Sequence, residues 1–225
     1  MTVSSSKQPR PPFLGYNSHN LVVSFFVGGE LLKDLLPEPL RPANEFLHLN
    51  MFKVPLALGI PPYSRTYVWA DVVNYTSWDG TAGRYVIEGW SEPAAFAEIA
   101  KRMFRWPAEP GETHLHTDDR TITSTLLQDG RPMMNLTAQY NSTSSELITQ
   151  MLPYLAFNED SSGSRLWAHQ IAYAGSYRPL EISEVAVHAD DHPLLATLAA
   201  SEVHAAVEIA AGSFALGIQT PLETA

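Results

Sequence analysis

Seventeen prolines and thirteen glycines break this 225-residue chain into many short segments. Proline removes a backbone donor and glycine weakens regular structure, so short strands joined by turns are favoured over long helices. The segments between the breaks agree. Leu21 to Val27 is a β-branched and aromatic run that reads as a strand, and Glu30 to Leu36 is a short helical turn stopped by Pro37. Phe46 to Val54 alternates: Leu47, Leu49 and Met51 point one way, His48 and Asn50 the other. Arg65 to Tyr75 and Gly83 to Trp90, joined by a turn containing Asp79-Gly80, read as a hairpin. Thr121 to Leu127 and Met133 to Tyr140 read as another, across Gln128-Asp129-Gly130-Arg131. Leu166 to Tyr173 and Glu181 to His188 read as strands, Asn158 to Ser164 as a polar loop, and Pro193 to Ala200 as a short helix before an apolar segment from Val203 to Leu216.

One helix is well specified. Ser91 can cap it and Pro93 suits its first turn. Phe96, Ile99, Ala100, Met103 and Phe104 then fall on one face, and Pro107 ends it at Trp106.

Composition narrows the function classes. Twenty-four acids against fourteen bases give a net charge of −10, which argues against a protein that holds nucleic-acid backbones by charge. With no cysteine, disulfides, thiolate metal sites and cysteine nucleophiles are excluded. The longest apolar stretch, Val203 to Ile218, is interrupted by His204, Glu208 and Ser213 and is too short to span a bilayer. No signal-like segment opens the chain, so a cytoplasmic protein without nucleic-acid or membrane partners is expected. Residues 1–20 read as a polar arm and residues 21–220 as a single domain.

Generic motifs are absent: no dinucleotide fingerprint, no phosphate-binding loop, no G-x-S-x-G elbow. His114 and His116 share a strand face that Asp118 continues, which reads better as a wet edge strand than as a metal site. His188, Asp190, Asp191 and His192 read as solvated loop residues, and His169 as a hydrogen-bonded core histidine. No metal and no cofactor are expected.

The ordered set of segments resembles the acetoacetate decarboxylase superfamily. It comprises Leu36-Pro37-Glu38-Pro39-Leu40, then Gly83-Arg84-Tyr85, Trp90 and Glu92-Pro93-Ala94 leading into the helix that ends at Trp106-Pro107. Asp129-Gly130-Arg131, Gly163-Ser164-Arg165, Val185-Ala186-Val187-His188 and the closing helix and strand continue it, from Leu21 to Leu216. The resemblance implies an α+β fold: a mostly antiparallel β cone or barrel with a few peripheral helices, enclosing an apolar pocket. The family's decarboxylases attack with a lysine in the turn after the helix, an amine activated by desolvation or by a cationic neighbour. Here that turn carries Ala108 and Glu109. The family's arginine position falls at Phe26, one carboxylate position at Trp69, and another at His48 or Asn50.

A pocket whose charged lining has become aromatic or small suits a larger apolar ligand. The leading expectation is an enzyme of specialised, polyketide-type metabolism that cyclises or isomerises such a ligand without a covalent lysine adduct. His48 and Glu109 would serve as acid–base groups, with Phe26, Asn50, Trp69, Trp106 and Ala108 shaping the pocket. The alternatives are a lysine-independent decarboxylase or dehydratase, a lyase with a relocated amine at Lys53 or Lys101, and a non-catalytic binding protein. Members of the family often assemble, so a homo-oligomer is also expected.

Overall fold

The structure, a computed structural model, describes residues 12–142, 144–160, 163–189, 191–217 and 220–222. In chain order the elements are β1 (Phe13–Phe26), α1 (Gly29–Leu35), β2 (Pro42–Val54), β3 (Leu56–Leu58), β4 (Tyr63–Val72), β5 (Gly83–Glu92), α2 (Ala94–Phe104) and β6 (Glu109–Pro110). They continue as β7 (Glu112–Thr117), β8 (Thr121–Gln128), β9 (Arg131–Tyr140), β10 (Glu146–Asp160), β11 (Gly163–Val187), α3 (Pro193–Ala200), β12 (Glu202–Leu216) and β13 (Thr220–Pro221). The protein is mostly β with a few helices. Among the described residues, no helix is long and apolar enough to cross a membrane.

The hydrogen-bonded order β10-β5-β4-β2-β1-β12-β11 closes on itself through a β10–β11 pairing, so these strands form a ring. All neighbours in it are antiparallel except β10 and β5, which meet in parallel over only Tyr154–Arg84 and Leu155–Tyr85. β11 serves two layers. Its first part pairs β10 and β12, and its last part pairs β9, which carries β8 and β7. That flap folds back over the outside of β2 and β4, held by a Thr66–Thr113 hydroxyl contact of 2.7 Å and by Lys53 Nζ donating to the Leu115 carbonyl at 3.1 Å. The β8–β9 turn places Asp129 and Gly130 both at positive φ, the geometry a two-residue hairpin requires.

Strict alternation sorts the side chains of β1, β2 and β4. Leu21, Val23, Phe25, Leu47, Leu49, Met51, Val68, Ala70 and Val72 are fully buried and pack outward against Ile122, Leu126, Met134, Leu136 and the Leu195 and Leu198 face of α3. Each of the larger side chains among them contributes about 1.5–3 kcal/mol over exposure. A second cluster lies inside the ring, where Phe96, Ala97, Ala100 and Phe104 of α2 close one end and Phe96 stacks on Tyr63 at 3.7 Å.

Several expectations need correction. β1 starts at Phe13, so residues 13–20 belong to the sheet and not to an arm; residues 1–11 lie outside the described set. Ser91 is not a helix cap, because β5 runs on to Glu92 and Pro93 takes the N-cap position. Strands expected separately at 166–173 and 181–188 are one 25-residue strand, and residues 146–160, in which no strand was expected, form β10. The loop expected from Asn158 to Ser164 is strand at 158–160 and 163–164.

Candidate active site

The inward faces of the ring enclose a cavity of about 410 Å³. β4 supplies most of its character. Because Val68, Ala70 and Val72 face the outer core, Tyr63, Arg65, Tyr67 and Trp69 must face in, and all four line the cavity. β2 adds Asn50 and Phe52, β1 adds Asn20 and Val22, β5 adds Arg84 and Val86, and β10 and β11 add Tyr154 and Tyr173. Trp106 enters by a different route. Arg105 takes a left-handed conformation at φ 54°, and the Trp106 N–H turns back to the Ala100 carbonyl at 3.1 Å. The indole is thereby laid against Tyr154, with ring centroids 5.6 Å apart.

A continuous hydrogen-bonded chain crosses the walls. Asn20 Nδ2 donates to the Tyr173 hydroxyl at 3.0 Å, and Asn50 Nδ2 donates to Asn20 Oδ1 and to the Tyr67 hydroxyl, both at 3.3 Å. The Tyr67 and Tyr154 hydroxyls are 2.5 Å apart, and Arg84 Nη1 donates to Tyr154 at 3.5 Å. Tyr67 oxygen accepts from Asn50 and Tyr154 oxygen accepts from Arg84, so a single proton suffices between the two phenols. The other phenolic proton is left for the cavity, whichever way the pair is oriented.

Charge is present as well as aromaticity. Arg65 is 2% exposed, its Nη2 donates to the Pro107 carbonyl at 3.0 Å, and its guanidinium lies 5.0 Å from the Trp106 ring and 5.3 Å from the Tyr67 ring. Arg84 lies 5.0 Å from the Trp69 ring and 5.9 Å from the Tyr154 ring. Burial lowers the Arg65 pKa, with the neighbouring tyrosines opposing it. Burial acts the same way on Arg84, but Tyr154, Tyr67 and Asp71 outweigh it and raise that pKa. Burial also pushes the Tyr67 hydroxyl well above the phenol range, Tyr154 adding to it, and so keeps it protonated. The pocket expected to be apolar therefore carries two guanidinium groups among its aromatic walls, and sequence reasoning missed them. The signal available was Arg65 in register with Tyr67 and Trp69, two and four residues on, on a strand whose other face is aliphatic.

The expected site residues do not all converge. Asn50, Trp69 and Trp106 line the cavity. Ala108 is buried in the inner cluster beside the Pro107 carbonyl that Arg65 holds, behind the lining. His48 sits at the rim, stacked on Trp69 at 4.9 Å, with Nδ1 2.8 Å from Ser24 Oγ and Nε2 3.3 Å from Asp71 Oδ2. Trp69 Nε1 and Asn44 Nδ2 also donate to Asp71. Burial would raise the Asp71 pKa, but His48, Arg84 and Trp69 together bring it below the ordinary carboxylate value. Phe26 lies outside the cavity lining, 45% exposed and edge-on to Phe46, because it is the last residue of β1. Glu109 is not in the cavity: β6 runs beside β5 on the outside, and its carboxylate pairs with Lys101 at 2.8 Å in solvent. His169, expected to be hydrogen-bonded, is 1% exposed with no protein partner at either nitrogen among the described residues; burial lowers its pKa to about 4. Its ring backs Phe104 and Trp106 at 5.1 and 5.2 Å.

His114 and His116 are exposed on β7, at the sheet edge. Among the described residues, no group of three or more His, Asp and Glu side chains is arranged to hold a metal ion; Asp190 lies outside that set.

No protein-family model matches the chain. It is 24% identical over 132 residues to an acetoacetate decarboxylase of Streptomyces nogalater, covering 59% of this chain and 52% of that protein. The chain thus spans about half the length of the curated relative it matches. Among solved structures, an acetoacetate decarboxylase from Legionella pneumophila superposes with a TM-score of 0.77 at 13% identity, covering 97% of this chain and 92% of that one. An acetoacetate decarboxylase-like enzyme from Sphingomonas wittichii RW1 gives 0.69 at 15%, covering 97% and 96%. The enduracididine biosynthesis enzyme MppR, complexed with pyruvate, gives 0.68 at 13%, covering 97% and 92%. The fold is acetoacetate decarboxylase-like, and it is shared by decarboxylases and by a biosynthetic enzyme.

Proposed function

We propose that this protein is an enzyme of specialised, polyketide-type metabolism that cyclises or isomerises an intermediate with both apolar surface and acidic oxygens inside the ring, without a covalent lysine adduct. The observation that carries this reading is the cation at the turn after α2. It is the Arg65 guanidinium, bonded to the Pro107 carbonyl next to Ala108. A guanidinium stays protonated and does not form an imine, whereas it does hold an oxygen on which negative charge develops. Lys33 and Lys101 are engaged in surface ion pairs and Lys53 is held against the flap, while Lys7 lies outside the described residues.

In this reading the aromatic walls fold the substrate into a reactive conformer. Arg65, Arg84 and the free phenolic proton stabilise the enolate or alkoxide oxygen of the transition state. The same groups would hold the enolate left by departing CO₂, which keeps a lysine-independent decarboxylase as the second reading. Borohydride treatment in the presence of acetoacetate, pyruvate or acetylacetone should leave the intact mass unchanged; a stoichiometric adduct on a lysine would overturn the lysine-free reading. Metabolite profiling of a strain lacking the gene separates the rest. An accumulating precursor of the same mass as the missing product supports cyclisation or isomerisation, a precursor heavier by CO₂ supports the decarboxylase, and no change supports a binding protein.

A further inference from the structure

Three side chains of the cavity wall carry fully buried donors that no protein group among the described residues answers. Arg65 Nη1, Arg84 Nε and Trp106 Nε1 are buried and meet no protein acceptor among the described residues. The phenol pair adds one O–H; Asn50 Oδ1 is the fully buried lining acceptor left unmet among the described residues, and Glu146 and Gln150 bring further acceptors on the β10 side. Buried donors of this kind are costly unless a ligand meets them. The two arginines approach the phenols from opposite directions. Arg84 stands across from Asp71, six residues along β4 from Arg65, which separates their backbones by roughly 20 Å. Their guanidinium groups converge on the Tyr67–Tyr154 pair from those two ends, so a ligand that meets both arginines and the phenolic O–H together carries several oxygens.

The walls set its shape. From rim to floor, aromatic rings follow one another: His48 and Trp69 at 4.9 Å, Trp69 and Tyr67 at 5.3 Å, Tyr67 and Tyr154 at 6.0 Å, Tyr154 and Trp106 at 5.6 Å. Such a run of ring faces and edges favours a flat π-system over a coiled aliphatic chain. We propose that the ligand is a planar, conjugated, polyoxygenated molecule with an acidic enol or phenol, bound as its anion. This names the substrate class of the site described above and rests on that cavity being the working site.

The test uses alizarin, a tricyclic dihydroxyquinone whose colour changes on ionisation, and its dimethyl ether, which has the same plane and no acidic hydroxyl. Titrated into the full chain, alizarin should bind saturably and quench tryptophan emission, and its ionisation midpoint should fall by about one pH unit. The ether should bind about tenfold or more weakly, and benzoate should fail to displace alizarin at comparable concentration. Arg84→Gln should abolish the midpoint shift. Tyr154→Phe, a milder change, should reduce it, and the comparison of the two probes on the unaltered protein needs no variant at all. Absence of binding, an unmoved midpoint, equal affinity for the ether, or ready displacement by benzoate each overturns the inference. Because the readout is equilibrium absorbance, it fails independently of the proposed reaction: a trapped lysine adduct would refute the chemistry and leave the ligand class standing.

Discussion

The two faces of β1, β2 and β4 are built from the same strands in the same register and do opposite work. The outer face is Leu, Val, Phe, Met and Ala, fully buried against the flap and α3. The inner face carries Asn20, Ser24, His48, Asn50, Arg65, Tyr67, Trp69 and Asp71, tied into hydrogen-bonded and stacked groups. Burial alone does not distinguish them, since Asn50 and Arg65 are nearly as buried as Leu49 and Val68. What differs is whether water was replaced by hydrocarbon, which stabilises the fold, or by fixed dipoles and charges, which prepare a site. Stability should therefore reside on one face and chemistry on the other.

The sharpest way to break that division is to truncate one residue of the outer face. Leu49→Ala should lose about 2–5 kcal/mol of unfolding free energy, from transfer and cavity effects, while the protein that remains folded keeps its product yield. A large loss of activity per folded molecule, measured by denaturant titration alongside complementation of the deletion strain, would dissolve the distinction.

Acid should act next most strongly, through the inner cluster. His169 is neutral when folded, its pKa lowered by burial from 6.5 to about 4. As pH falls below the unfolded value the unfolded chain takes up the proton first, so stability present above pH 6.5 is lost between there and about pH 4. The loss amounts to about 2 kcal/mol at pH 5 and about 3 kcal/mol at pH 4. His169→Phe should flatten this slope. Equal slopes for the variant and the parent over that window would show that His169 is solvated.

Tyr67→Phe removes the hydroxyl that receives from Asn50 and contacts Tyr154. Product formation should fall by about a hundredfold if the phenol pair supplies the oxyanion donor, with about 1 kcal/mol or less lost in stability. A proportionate fall in both would make the pair structural. The smallest effect is expected outside the ring. Glu109→Gln breaks only a solvent-exposed contact with Lys101, so stability and turnover should both remain within error. A marked loss of turnover would restore Glu109 as an acid–base group.

The sequence went far in placing local structure. Alternation from Leu47 to Met51, the Asp129-Gly130 turn and the apolar stripe of α2 are each decided by residues within a few positions of one another, and each is where the pattern puts it. β10 was illegible because its pattern mixes the cavity-facing Glu146 and Gln150 with an exposed Leu147, an arrangement that makes sense only beside a cavity. The continuity of β11 was hidden because one strand serves two layers and changes its facing partner near Leu180.

For the site, the sequence determined which residues of β2 and β4 share a face, since a two-residue period is a local property of the backbone. Asn50, Trp69 and Trp106 were found on that basis and from the resemblance. Only the tertiary structure decided what else meets them. Arg84 reaches Tyr154 through a parallel contact between strands 70 residues apart, and Arg65 reaches the turn after α2 from 42 residues away. It also decided that Glu109, one position beyond buried Ala108, faces solvent. A period fixes direction from a strand, whereas convergence on a point depends on how the strands curve and close, and no local pattern encodes that closure.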